Sequence, residues 1–392
     1  MSDRPSRMSP APRRWLGLLT TIALLSTLLA VNPTTAAVAT AATAVAFDNT
    51  FTDSTVDGTG TVTTPTSATG TNHACLTASG NTSTGPLLSC SGTTDAEGSG
   101  ALQLTESGGY QLGAVFGSTS FSTAHGLDVS FNSYQYGGNG ADGIGFVLAA
   151  DDPDSPAPPT ATGPAGGALG YAPSGTPGVE DGYLGVGLDV YGNYSLSSVS
   201  GSGCTNPSTI SGFAPGAVVV RGPGSGTTGY CGLTTTYDGT SASQLTLRAD
   251  SRAASLVPVR VLVNPTGSSL TTSDGVTVPS ESYRVIVTPV GGTPKTQTGD
   301  LPAVPAGLYP SDDWLDAHGV PKQLSFGWFG STGGLTDVHE ISDAQVRTLD
   351  PEAPDAPARP SVVAGLRQAT LSWAAPSGNG APIASYVITP YL

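Results

Sequence analysis

Short apolar runs closed by Gly, Pro, Asn or Asp limit what this chain can become, because that is how strands and turns punctuate a sequence. Leu127-Asp128-Val129-Ser130-Phe131-Asn132-Ser133-Tyr134 alternates strictly, so every second side chain faces one side of a pleated strand. Ala101–Thr105, Tyr110–Phe116, Gln244–Arg248, Val257–Val263, Tyr283–Val290, Leu324–Gly330 and Val338–Val346 read as further strands. Ile144 to Leu148 is a strong strand preceded by a single acid, Asp142. Tyr183–Tyr191 is apolar almost throughout, which predicts a strand in the middle of a sheet. Past the N-terminus no window carries the i, i+3, i+4, i+7 pattern of an amphipathic helix. Strands at this spacing with no helices between them predict an all-β, two-sheet sandwich. The stretch 196–240 reads as loop-rich.

A chain of 392 residues with only 11% charged residues could be disordered, but 38% of it is hydrophobic and gathered into these runs. Residues 1–46 read as a secretory signal. Arg4, Arg7, Arg13 and Arg14 make a basic start, Trp15 to Val31 an apolar core, and Ala44-Val45-Ala46 a small-x-small cleavage site, with Ala37-Val38-Ala39 an earlier candidate. An uncleaved anchor is the other reading, against which the run is short for a span of about 20 residues. The formal charge of −15, which loss of that basic segment makes more negative, argues against nucleic acid or an anionic membrane as partner. It suits a secreted or cell-surface protein with no membrane insertion after cleavage. Cys75, Cys90, Cys204 and Cys231 are an even set behind a secretory signal, which suggests disulfides. Local pairing, Cys75 with Cys90 and Cys204 with Cys231, is the simplest of the three connectivities. A metal site is the weaker alternative, with no CxxC.

Three stretches carry more than strand propensity. They are Ala141-Asp142-Gly143-Ile144-Gly145-Phe146, Gly166-Gly167-Ala168-Leu169-Gly170, and Leu188-Asp189-Val190-Tyr191-Gly192-Asn193. In order and spacing they resemble the Ala-Asp-Gly strand start, the Gly-Gly-x-Leu-Gly loop and the Phe-Asp-Thr-Tyr-x-Asn metal loop of L-type (legume-type) lectins. Phe326 to Val346 resembles the family's closing strands, so the resemblance covers 47–349. It implies a concanavalin A-like jelly-roll sandwich that binds carbohydrate, with extracellular or cell-wall glycans as partners. It places Asp142, Gly167 and Asn193 on the sugar's hydroxyls and Tyr191 against its ring face. The residue types suit those roles. A carboxylate accepts two hydroxyl protons, a Gly N–H approaches closely for want of a Cβ, an Asn amide both donates and accepts, and an aromatic ring covers C–H groups.

The resemblance also implies a calcium ion on Asp189, the Tyr191 carbonyl and Asn193, since hard oxygen donors suit calcium. The second aspartate of that set should fall at Ser197 or Ser198, where there is no acid. The Glu that would hold a companion transition metal is Gly187, and the His that should follow is missing, so no transition metal is expected. His73, His125, His318 and His339 are scattered. Nothing shows the paired carboxylates, about 5–9 Å apart, of a glycosidase, nor a catalytic triad.

Residues 350–358 form a Pro-rich linker. After it, Ala369 to Pro376 with its Trp373, then Asn379-Gly380, then Ile383 to Thr389 with Tyr386, resemble the N-terminal half of a fibronectin type III domain over 359–392. A complete module needs about 100 residues, so the chain reads as part of a longer protein. Non-catalytic glycan binding is the leading expectation. An accessory targeting region of a polysaccharide-degrading glycoside hydrolase, and a structural adhesin with a decayed sugar site, are the alternatives. The sugar and the oligomeric state are not legible.

Overall fold

The computed structural model describes residues 42–56, 58–68, 70–92, 94–205, 212–350, 359–365, 368–374 and 386. Apart from short strands and 3-10 turns, its elements are β1 (Ala42–Asn49), β2 (Leu102–Thr105), β3 (Leu112–Gly117), β4 (Gly126–Tyr136), β5 (Gly143–Ala150), β6 (Gly182–Asp189), β7 (Ala217–Arg221), β8 (Gly232–Thr235), β9 (Val257–Asn264), β10 (Ser282–Val287), β11 (Lys295–Asp300), β12 (Gln323–Ser331), β13 (Val338–Asp350), β14 (Ser361–Gly365) and β15 (Gln368–Ser372). One sheet runs β11-β10-β9-β4-β13-β2, with β1 also paired to β13. The other runs β6-β5-β12-β3, with β7 on β6 and β8 on β7. The pairings between these strands are antiparallel. The protein is an all-β jelly-roll sandwich.

Alternation explains the first sheet. On β4, Leu127, Val129 and Phe131 are buried while Asp128, Ser130 and Asn132 are only partly so. The inward set meets the second sheet, where Phe131 lies 6.1 Å from both Phe146 and Trp328, ring to ring. Phe47 on β1 joins them, 5.5 Å from Phe326 and 5.6 Å from Trp328. Aromatic rings at these tilted and edge-on separations each bury a large apolar area.

The second sheet follows a different rule. Every residue of β5 and β6 is buried, because loops cover the outer face of this sheet as well. A second apolar cluster fills the space between them: Val147, Ala149, Leu169, Tyr171, Tyr194, Val199, Val219, Tyr230 and Phe329. The room for it comes from Gly185 and Gly187 of β6. A Cβ at Gly187 would run into the Tyr194 ring and one at Gly185 into Tyr171 and the Tyr194 hydroxyl, so both rings lie directly on backbone.

Two of the strand expectations are corrected. Gln244–Arg248 is not a strand. Its neighbourhood makes single crossing bonds instead of a ladder: Leu245 N–H to Gly216 O at 2.7 Å and Ala249 N–H to Gln135 O at 3.1 Å. Conversely β7 is a fully buried strand inside the stretch read as loop-rich, because an apolar Val-Val-Val run between glycines pairs along β6 from Gly185 to Asp189. Both disulfides form the local pairs, Cys75–Cys90 and Cys204–Cys231, with Cα separations of 5.1 and 5.2 Å.

β1 opens at Ala42, ahead of the boundary expected at Phe47. The expected signal segment lies outside the described residues up to 41, as does the Pro-rich linker from 351 to 358. Of the C-terminal segment, β14 and β15 form a separate two-stranded sheet, and the Trp373 ring lies 5.2 Å from that of Tyr386.

Replacing Gly187 with Ala forces Tyr194 off the sheet. Overpacking of this kind is expected to destabilise the chain by about 1–3 kcal/mol, read from the urea midpoint at unchanged m-value. An unshifted midpoint would mean that Tyr194 does not rest on this strand.

Candidate functional site

The sheet register brings the three sequence stretches to one end of the sandwich. Gly143 pairs with Asp189 on one side and Ser331 on the other, so Asp142 sits at the end of β5 between β6 and β12. Its peptide with Ala141 is cis. Its N–H donates to Ser331 O at 2.9 Å, and its own carbonyl accepts from Val190 and Tyr191 N–H at 2.9 and 3.2 Å. The backbone of Asp142 therefore ties the start of the 190–200 turn to β12. Ser331 makes the next link: its hydroxyl accepts from Gly166 N–H at 2.7 Å and donates to Gly166 O at 3.1 Å. Gly167 then reaches Asn193, for a Cβ there would collide with the Asn193 side chain. Asp142, Gly167 and Asn193 are thus linked through Ser331 and Gly166 at one end of the sheet.

The Asp142 side chain is the unusual part. The residue is 3% exposed, and Oδ2 is sealed from water without a hydrogen-bond partner among the described residues. Gly333 lies over it, the position of a Cβ there being 2.8 Å from Oδ2. Burial pushes the carboxyl up to about 7. A buried acceptor left unmatched costs about 1–3 kcal/mol, and such atoms in native proteins call for an explanation.

Asp189 is buried too, at 0% exposure, but fully engaged. Oδ1 accepts from Gly192 N–H and Oδ2 from Tyr194 N–H, each at 2.7 Å. Burial raises its carboxyl to about 7, these two bonds pull it back, and the nearby Asp142 raises it. Tyr191 is half-buried, with its ring 5.4 Å from that of Phe213 and edge-on to it. Phe213 is 50% exposed. The sequence reading missed Phe213 and Gly333: the first lies in a stretch that reads as loop, and the second touches Asp142 only through the fold. Tyr110, 73% exposed, stands beside the same turn, with its N–H on Gly333 O at 2.9 Å.

Calcium takes about six to eight oxygens, and among the described residues the neighbouring carboxylates here are two, Asp142 and Asp189. Asp189 accepts from two backbone N–H groups, whose positive dipole ends disfavour a cation beside it. Ser197 and Ser198 are exposed hydroxyls on a 3-10 turn, Ser197–Val199. Among the described residues no group of three or more His, Cys, Asp or Glu converges. This arrangement does not match what calcium requires. The space at Gly187, where the resemblance would put a metal-holding Glu, is filled by the Tyr194 ring.

No family model matches the chain, and no curated protein matches it. Solved structures with a similar fold include the metal-free form of lectin I-B4 from Griffonia simplicifolia (15% identity, 76% of this chain and 98% of that one, TM-score 0.41). The Lotus tetragonolobus seed lectin is similar at 13% identity, 78% and 99% coverage and TM-score 0.39. The exoplasmic/lumenal domain of VIP36, in its Ca2+/Man3GlcNAc-bound form, is similar at 15% identity, 64% and 80% coverage and TM-score 0.33. These values are too low to transfer any residue's role to this chain.

The Asp142 carboxyl has a testable sign. Its folded value, about 7, is raised above the ordinary range near 4. Its favourable contribution is therefore complete below about pH 4 and is lost as pH rises through about 7. The ligand-free chain is expected to lose stability between about pH 5 and about pH 8, and Asp142→Asn to lose less over that interval. Urea unfolding of both proteins at the two pH values checks this; identical pH dependence would show that Asp142 is ionised at no cost.

Proposed function

We propose that the Asp142–Gly167–Asn193 end of the sandwich binds a carbohydrate, and that the chain is a secreted, non-catalytic glycan-binding protein. The observation that carries this reading is the unpartnered Oδ2 of Asp142 beneath Gly333. A vicinal diol supplies the hydroxyl donors that this carboxylate lacks, through charge-assisted bonds. In this reading the Gly167 N–H and the Asn193 amide take a further oxygen. Tyr191, propped by Phe213, offers a ring to the sugar's C–H face. Because Oδ2 is sealed, entry of the sugar displaces the Gly333–Gly334 turn, and two successive glycines make that displacement inexpensive.

Two disulfides and an acidic surface suit the extracellular space. Among the described residues no helix is long and apolar enough to cross a membrane. We read the C-terminal hairpin, with Trp373 against Tyr386, as the start of a fibronectin type III module. A strand that begins at Ala42 favours the earlier cleavage site, after Ala39, since cutting after Ala46 would remove the residues that pair with Arg347 to Asp350.

A glycan array with the purified secreted chain is expected to show a defined set of ligands. Asp142→Asn should weaken them about ten- to hundredfold, the worth of a hydrogen bond to a charged group, and Gly167→Ala should do the same by displacing Asn193. Binding should also fall as pH drops below about 7, where Asp142 gains a proton. Absence of any glycan ligand, or binding indifferent to both substitutions, would sink this reading. N-terminal sequencing of the exported protein is expected to begin at Thr40; a start at Phe47 would show that β1 is completed without residues 42–46.

A further inference from the structure

We infer that Arg221 is the cation of the glycan-site turn: its guanidinium, and not a divalent metal ion, holds residues 190–200 and so keeps Asn193 opposite Gly167. The inference rests on the glycan reading only for what the held turn is used for.

Arg221 closes β7 with its side chain 0% exposed. A buried guanidinium is costly unless its donors are matched, and here they are. Nε donates to Tyr194 O at 2.7 Å, Nη2 to Leu196 O at 2.8 Å, and Nη1 to Ser200 Oγ at 2.9 Å and Tyr230 O at 2.7 Å. Three of those four acceptors belong to the turn that follows Asn193. The fourth, Tyr230, adjoins Cys231, whose disulfide to Cys204 fastens the chain leaving that turn. The guanidinium also lies 5.0 Å from the centre of the Tyr194 ring, a separation at which cation–π attraction acts.

Asp189 completes the arrangement from the other side. It takes the N–H of Gly192 and of Tyr194, while Arg221 takes the carbonyl of Tyr194 and of Leu196. The backbone of Tyr194 is therefore gripped at both its polar groups, by an anion at one and a cation at the other. Asn193 lies between the two Asp189 contacts. A metal-organised turn needs its carbonyls aimed at the metal. In this turn the Tyr194 and Leu196 carbonyls aim at Arg221, and the N–H groups of Gly192 and Tyr194 aim at the carboxylate. The planar fork of Arg matches such divergent acceptors, which the point charge of Lys does not.

Arg221 is thus a positioning residue, and local exchange of the turn reports on it apart from any glycan. The secreted chain is stripped with EDTA. Hydrogen exchange of peptides over 190–200 is then measured with EDTA and with about 5 mM calcium, well above the affinities of extracellular calcium modules. The two conditions are expected to agree within about twofold, and Arg221→Lys is expected to speed exchange about tenfold or more in these peptides while leaving β5 and β12 unchanged. The inference is overturned if calcium slows exchange of the unsubstituted chain about tenfold, or if Arg221→Lys leaves the turn protected. Should Arg221→Lys not fold, Ser200→Ala, which removes one acceptor of Nη1, takes its place: faster exchange over 190–200 is expected, and unchanged exchange overturns the inference. If no glycan is bound, the carbohydrate reading fails while the exchange result still stands for or against Arg221.

Discussion

Everything at the candidate-site end of this protein rests on a patch of β6 that has no side chains. Gly185 and Gly187 leave bare backbone, and Tyr171 and Tyr194, from two different loops, lie against it. Each ring then buries its apolar face at one end and finds a partner at the other: the Tyr171 hydroxyl donates to Gly222 O at 2.8 Å, and Tyr194 packs under Arg221. Two loops are thereby pressed against a sheet whose inner face already belongs to the main core. Without those glycines the second apolar layer could not approach, and the turn carrying Asn193 would have nothing to rest on.

At this end of the sheet Asp142, Asp189 and Arg221 are buried, and they are treated unequally. Asp189 commits both oxygens to backbone N–H groups, and Arg221 commits its guanidinium to carbonyls and a hydroxyl. Their charges are complementary across one short turn, which is how a buried ion is tolerated. Asp142 has no such provision at Oδ2. Asp189 has both oxygens matched from within the fold and Asp142 has not; the proposed glycan site rests on that difference.

Much of this was readable in the residues. Strict alternation over Leu127–Tyr134 gives a half-covered strand, and the nearly unbroken apolar run Tyr183–Asp189 gives a central one. The three motif stretches converge as their order implied, because β5, β6 and β12 are neighbours and their ends coincide. What failed was local. Ala217–Arg221 sits among Gly, Ser and Thr, so its strand character is outweighed by its surroundings, although an Arg closing a Val-Val-Val run marks a buried charge. Gln244–Arg248 alternates like a strand, yet no partner runs alongside it. Phe213 and Gly333 carry no signal of their own, since their relevance comes from Tyr191 and Asp142, far away in the chain.

Residue order was enough for the class of the fold, made the local disulfide pairs the simplest of three connectivities, and through the family resemblance singled out Asp142 and Asp189. The first two follow from periodicity, turn chemistry and residue type, which act over a few neighbouring positions. Packing in three dimensions was needed to settle that Asp189 faces N–H groups, that Tyr194 fills the space above Gly187, and that a cation from residue 221 grips the turn beginning near 190. Those facts turn on the direction in which donors and acceptors point across separate strands. Direction is set by packing, and no spacing along a chain encodes it.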